Sequence, residues 1–304
     1  MGASQSRIQL PAGLATAVGA LPQFSASVAS RLISDLMPWL PSGPTVNLEA
    51  EAHVDGGDPA ALDALSEFLH DLRGRVEPIV LSLVGPVTID LRLRSDGVDH
   101  QHAASEAVKQ VNATANQVVD LAAEILPDAP VVLFLEEPSL ANSMHPTFPL
   151  RPAEIEALIT SVVQPLSEQV MVGIQVAGRA DWAMLMRTGI SILGAPITAS
   201  LESAAHEISQ FLAQGGFIAW GAVPLNEPLG SNSDRQWKRL SGVWGELAKL
   251  GLDPVLLRER SIITPAAHLG NFGLSQAERV LSITADLSGR VLNQVLGAQL
   301  PAGA

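Results

Sequence analysis

Short apolar runs rich in Val, Ile and Leu alternate with longer segments of helical period along the whole chain. Eight runs read as strands: 14-LATAVGA-20, 45-TVNLEA-50, 79-IVLSLVG-85, 130-PVVLFLEE-137, 170-VMVGIQVAG-178, 190-ISILGAP-196, 217-FIAWGAV-223 and 261-SIIT-264. Several lack polar alternation, as expected where both sheet faces are covered. Helical segments separate them, such as DPAALDALSEFLHDLRGRV, with Asp58 as cap and Pro59 in the first turn, and HAASEAVKQVNATANQVVDLAAEIL. Strand and helix repeated eight times predict a single-domain α/β fold, a (β/α)8 TIM barrel spanning 1–304. Residues 1–12 are expected to form a disordered or loosely attached segment. A doubly wound sheet would carry a glycine-rich turn after its first strand, but that turn here is VGALPQF, with one glycine.

With 304 residues, 47% of them hydrophobic, the chain can bury a large core. A formal charge of -13 disfavours nucleic acid and anionic membranes as partners. The absence of cysteine excludes disulfides, thiolate metal ligands and cysteine nucleophiles, and the absence of tyrosine excludes a tyrosine acid or base. MGASQS fits the loose N-myristoylation pattern, but MGASQSRIQLPAG holds no apolar run of signal-peptide length. A cytoplasmic location is expected. No P-loop, GxSxG elbow, HExxH or glycine-rich dinucleotide fingerprint occurs.

Barrel enzymes place their chemistry at the carboxyl ends of the strands. Those ends offer Glu49, Glu51 and His53, then Thr88, Glu136 and Glu137, Gln175, Trp220, and Thr264 to His268. Glu136 and Glu137 are the leading candidates. Side chains alternate along a strand, so one of the two should enter the barrel mouth, where a carboxylate can hold an ammonium, ligate a metal or act as a base. The other reading is a pair of solvated loop charges. His268 follows the last strand in a glycine-containing loop and is either a site residue or merely exposed. The pair His100 and His102 lacks partners at metal spacing and reads as surface. Trp220 either walls a pocket or packs in the core.

The strand ends ATAVGALP, VGPVT, FLEEPSL, IQVAG and ITPAAHLG occur in order over nearly the whole chain. Together they resemble the cobalamin-independent methionine synthase family, above all its short single-barrel members related to the catalytic C-terminal half. The resemblance implies a barrel in which zinc activates a thiol such as homocysteine, which takes a methyl group from a folate or another donor. It also implies that the acidic turn, here Glu136 and Glu137, contacts an amino-acid substrate. The family's His-x-Cys after the fifth strand reads Gln175 and Ala177 here. The cysteine after the eighth strand reads Ala267, next to His268, and the acidic ligand of the sixth strand falls at Pro196. An aromatic residue that stacks on folate near GPVT is replaced by Asp90, Leu91 and Arg92.

Every zinc ligand of the family is thus replaced, so no metal cofactor is expected and a folate methyl donor is doubtful. Three functions remain open. The first is a small amino- or thiol-ligand binder, or a divergent partner subunit, with Glu136, Glu137 and His268 central and Glu49, Glu51, Thr88, Gln175 and Trp220 lining the ligand. The second is an active methyltransferase, related to 5-methyltetrahydropteroyltriglutamate–homocysteine S-methyltransferase, with a site rebuilt from Glu136, Glu137, Glu49 or Glu51, and His268. The third is chemistry like that of the related uroporphyrinogen decarboxylases, which needs arginines such as Arg92, Arg94, Arg151 and Arg179 at the mouth. The helical exterior leaves room for a homodimer.

Overall fold

A computed structural model describes residues 10–21, 26–46, 59–230 and 232–299. In chain order the elements are β1 (Leu14–Ala15), α1 (Ala26–Leu36), α2 (Pro59–Asp71), β2 (Ile79–Val84), α3 (Pro86–Ser95), α4 (His100–Ile125), β3 (Val131–Glu136), α5 (Pro152–Leu166), β4 (Met171–Gln175), α6 (Trp182–Arg187), β5 (Ile192–Pro196), α7 (Ala205–Ala213), β6 (Phe217–Val223), α8 (Asp234–Lys249), α9 (Pro254–Glu259), β7 (Ser261–Pro265) and α10 (Leu274–Gln299). The strands form one all-parallel sheet in the order β1-β7-β6-β5-β4-β3-β2. Because the first strand pairs with the last, the sheet curls into a barrel, with helices between the strands.

The predicted strand 45–50 lies mostly outside the described residues. Its visible beginning runs beside β2, with parallel bridges from Ser42 to Val80 and from Val46 to Leu83. Residues 42–46 thus run alongside β2 at the edge of the sheet. The first predicted strand is shorter than expected, Leu14–Ala15, and the chain turns at Gly19, which has φ +88°.

Period-two alternation divides each strand between two cores. Leu14, Val80, Val132, Phe134, Ile192, Phe217, Ala219 and Ile262 fill the barrel interior. Leu81, Leu83, Leu133, Leu135, Val172, Ile174, Leu193, Ile218, Trp220 and Ile263 face the helices. Packing leaves little spare room: a Cβ on Gly173 would lie 2.7 Å from the Phe134 ring. Among the described residues, no helix is long and apolar enough to cross a membrane.

One helix departs from the sequence pattern. Residues 87–94, VTIDLRLR, alternate apolar and polar as a strand would, yet they form α3. Pro86 starts that helix, and its N-cap, Gly85, makes no side-chain cap. The cap comes from another part of the chain.

Candidate active site at the barrel mouth

Glu136 and Glu137 point in opposite directions, as alternation requires. Glu137 is fully buried on the outer side of the sheet. Its Oε1 accepts the Val87 N–H at 2.8 Å, and its Oε2 accepts the Thr88 N–H at 2.8 Å and the Thr88 hydroxyl at 2.7 Å. These donors are the free amides of the first turn of α3, so Glu137 caps that helix from the neighbouring strand. A Cβ on Gly85 would come within 2.3 Å of Glu137 Oε1, so the glycine of GPVT makes room for the carboxylate. Burial pushes the Glu137 carboxyl up to about 7, and the bonds from Thr88 and Val87 oppose that rise. The glycine-proline turn and the acidic turn are thus one structural unit. Thr88, expected to touch ligand, spends its hydroxyl on Glu137.

Glu136 faces inward and is half-buried at the carboxyl end of β3. The Thr45 hydroxyl donates to its Oε1 at 3.2 Å. A Cβ on Gly19 would lie 2.2 Å from Glu136 Oε2 and 2.8 Å from the His268 Cβ. Glu136 and His268 therefore meet over the Gly19 backbone, which only a glycine permits. Burial pushes the Glu136 carboxyl up to about 7, with the Thr45 bond opposing. Among the described residues, no basic side chain forms an ion pair with it. His268 is exposed, and its Nδ1 accepts the Gly270 N–H at 3.3 Å.

Three other inward positions near the mouth are polar. The Ser82 hydroxyl accepts the Gly19 N–H at 3.2 Å. Gln175 is the direct neighbour of Glu136 in the β3–β4 ladder and is 6% exposed. Thr264 is fully buried. Ser82 and Thr264 are polar interruptions at inward positions of apolar strands, and that pattern is the signal by which the sequence shows them. Thr45 and Gly19 carry no such signal, because their partners are distant in sequence.

Beside this layer opens a cavity of about 510 Å³ at the carboxyl ends of β4 to β7. Ala177, Pro196 and Ala267 all line it, together with Gly221 and the Glu227–Arg239 ion pair. Three of the four positions that the resemblance gives to zinc ligands therefore converge on one hollow, and the fourth, Gln175, stands just below. Glu227 and Arg239 were not found from the sequence. They lie on a loop and on α8, and only the fold joins them.

Zinc does not fit these residues. Alanine and proline side chains have no donor atom, and glutamine is a poor ligand beside thiolate or imidazole. Among the described residues, no group of three or more His, Asp or Glu could hold a metal ion. Glu136, Glu137 and His268 do not converge, since Glu137 faces the helices, which corrects the expectation of a joint catalytic set. Glu49, Glu51 and His53 lie outside the described residues.

Trp220 is also corrected. It is fully buried on the helix side of β6, donates its indole N–H to Ser261 Oγ at 2.8 Å, and meets Trp244 edge-on at 6.1 Å. It is the immediate neighbour of inward Ala219 and Gly221, so by alternation it points away from the mouth. Two of the arginines proposed for the mouth are engaged in ion pairs with other groups. Arg94 pairs with buried Asp90 at 2.8 Å, and Arg151 pairs with Glu154 at 3.1 Å. Asp90 and Leu91 belong to α3, which carries no aromatic residue. His100 is exposed on the helical shell, with Nδ1 2.8 Å from Arg94 Nη1.

No family model matches the chain. No curated protein matches it either. Solved structures do match over nearly its full length. A methyltransferase from Methanosarcina mazei is 13% identical with a TM-score of 0.55, covering 94% of each chain. A 3-keto-L-gulonate-6-phosphate decarboxylase from Vibrio cholerae is 11% identical with a TM-score of 0.44, covering 94% of this chain and 99% of its own. The GH26 domain of a mannanase/glucanase from Prevotella bryantii is 9% identical with a TM-score of 0.48, covering 91% of each. At such identities the likeness is one of fold, that of TIM-barrel proteins, a methyltransferase among them.

Proposed function

We propose that the protein binds a small amino- or thiol-bearing molecule at the carboxyl-terminal mouth of the barrel, as a methionine-synthase-like barrel that has given up zinc–thiolate chemistry. One observation carries this reading. Glu136 is an inward carboxylate at the mouth with no ion-pair partner among the described residues, and burial raises its pKa to about 7. A ligand ammonium would supply the missing positive charge and draw the carboxyl back to its ionised form. The cavity lined by Ala177, Pro196 and Ala267 gives the rest of a small ligand an uncharged place to lie. In this reading the protein works in the cytoplasm without resident metal or folate, apart from nucleic acid and membranes, and its helical exterior leaves room for a homodimer.

The test is a thermal-shift screen of alanine, methionine, homocysteine and cysteamine at pH 7.5, followed by calorimetry. At least one amine should raise the unfolding midpoint, and Glu136→Gln should abolish that rise. No response to any of the four, or a response that survives Glu136→Gln, would refute the reading.

A second reading is favoured by the same carboxyl. A group with a pKa near neutrality, beside the exposed His268, is suited to general acid–base work. An active methyltransferase would use Glu136 to take the proton of its acceptor. Supplying a methyl-labelled folate donor with a thiol acceptor tests this. Label in the acceptor that disappears in Glu136→Gln supports it, and no transfer by the unaltered protein sinks it.

A further inference from the structure

A second cavity, of about 440 Å³, lies on the helical shell where α3, α4 and α5 pack together, and it shares no lining residue with the cavity at the mouth. Its volume falls in the usual range of small-molecule sites, roughly 300–1,000 Å³. The apolar wall comes from Ala104 and Val108, one turn apart on α4, and from Ala157 and Leu158 on α5. Two of the four are alanines, whose short side chains leave the hollow open. Ala104 and Val108 are half-buried and pack against the main core, so the wall is firm.

Arg94, from the last turn of α3, lines the same cavity. Its guanidinium is held from two sides. Nε lies 2.8 Å from Oδ2 of Asp90, which is one turn earlier and fully buried, and Nη1 lies 2.8 Å from Nδ1 of His100. A guanidinium has no acceptor, so Nη1 donates, Nδ1 accepts, and the other ring nitrogen of His100, Nε2, carries the proton. His100 also lines the cavity and brings that further donor to its edge. Only 12% of the Arg94 side chain is exposed. A cation already fixed in place loses little freedom when it binds a ligand. Glu154 lines the cavity too, but it belongs to the start of α5. The Arg151 backbone N–H and Nε donate to its Oε2 at 2.8 and 3.1 Å, and Arg151 Nη2 donates to its Oε1 at 3.2 Å. It therefore forms its ion pair with Arg151 and not with Arg94.

Fixed donors beside an apolar wall match one carboxylate on a compact apolar body. The carboxylate takes charge-assisted bonds from Arg94, and the body covers the wall. A second negative charge on the ligand would meet Glu154 and Asp90, which disfavours dicarboxylates. We propose that this cavity is a binding site, separate from the barrel mouth, for small apolar monocarboxylic acids, with Arg94 and His100 receiving the carboxylate. The inference does not depend on what the mouth binds. The chain carries a formal charge of -13, so a preference for an anion over its neutral twin runs against the overall field and requires a local cation.

The test uses the full chain and fluorine NMR. The probe is para-trifluoromethylbenzoate, with para-trifluoromethylbenzamide as its neutral twin and trifluoromethylterephthalate as the dianion. The benzoate should bind with a Kd on the order of 1 mM or below, the ordinary efficiency of a ligand of its size. It should bind about tenfold more tightly than either comparator. Ala157→Trp fills the hollow from an exposed helix position and should abolish binding while leaving the circular dichroism spectrum unchanged. Arg94→Gln alone would strand the buried Asp90 carboxylate, so it is combined with Asp90→Asn. That double variant should erase the preference for the benzoate over the benzamide. No binding of the benzoate, equal affinity for the benzoate and either comparator, binding that survives Ala157→Trp, or a preference that survives the double variant would each overturn the proposal.

Discussion

Replacing Glu136 with glutamine should stabilise the protein at alkaline pH and leave it unchanged at acid pH. The folded carboxyl has a pKa of about 7 against an ordinary value of 4.5, chiefly through burial. Between those values the folded chain holds a proton that the unfolded chain has lost. The stability contributed by the protonated group is therefore complete below about pH 4.5, and it is lost as pH rises through 7. A rise from 4.5 to about 7 corresponds to about 3 kcal/mol. Glutamine keeps the shape and an oxygen for Thr45 to donate to, but never ionises. For a chain of this size, about 3 kcal/mol corresponds to roughly 6 °C in unfolding midpoint. Calorimetric scans of both proteins from pH 4.5 to 8.5 would show midpoints that coincide at the acid end and separate by that amount above pH 7.5. A Glu136→Gln protein less stable than the parent at pH 8 would show that Glu136 is stabilised in its ionised form, and a difference independent of pH would show that burial does not shift it.

Glu137→Gln should act in the opposite sense, because its new NH2 group must face N–H or O–H donors in the first turn of α3. A loss of about 3 kcal/mol in urea unfolding is expected, and an unchanged midpoint would contradict the capping role. Trp220→Phe should cost about 2 kcal/mol, through the lost bond to Ser261 and the weakened contact with Trp244. It should leave ligand affinity at the mouth untouched, as calorimetry with a bound ligand would show. After equilibration with zinc and gel filtration, elemental mass spectrometry should find far less than one zinc per chain, and a stoichiometric ion would restore a metal site at the mouth.

The parallel barrel was legible because strands covered on both faces read as unbroken apolar runs, and seven of the eight expected runs are strands among the described residues. The residues 87–94 were not legible as a helix. Their alternation is that of a strand, and the group that caps them lies about fifty residues further on. At the mouth, alternation correctly implied that one of Glu136 and Glu137 enters the barrel, but only the structure shows which one. Trp220 was misplaced because 217-FIAWGAV-223 is apolar throughout, and such a run does not reveal which face is inward. The meeting of Glu136, His268 and Gly19 joins three distant segments, which no local pattern records.

The borrowed cap on α3 also dictates an order of assembly. A helix that supplies its own cap can start wherever its first turn forms. The first turn of α3 is completed only when β3 has paired with β2 and delivered Glu137 to the amides of Val87 and Thr88. Those two amides should consequently exchange with solvent only in openings that also separate β2 from β3, and not by fraying of the helix end. The acidic turn thus acts as a latch, closing one strand–helix unit of the barrel only after the next has arrived.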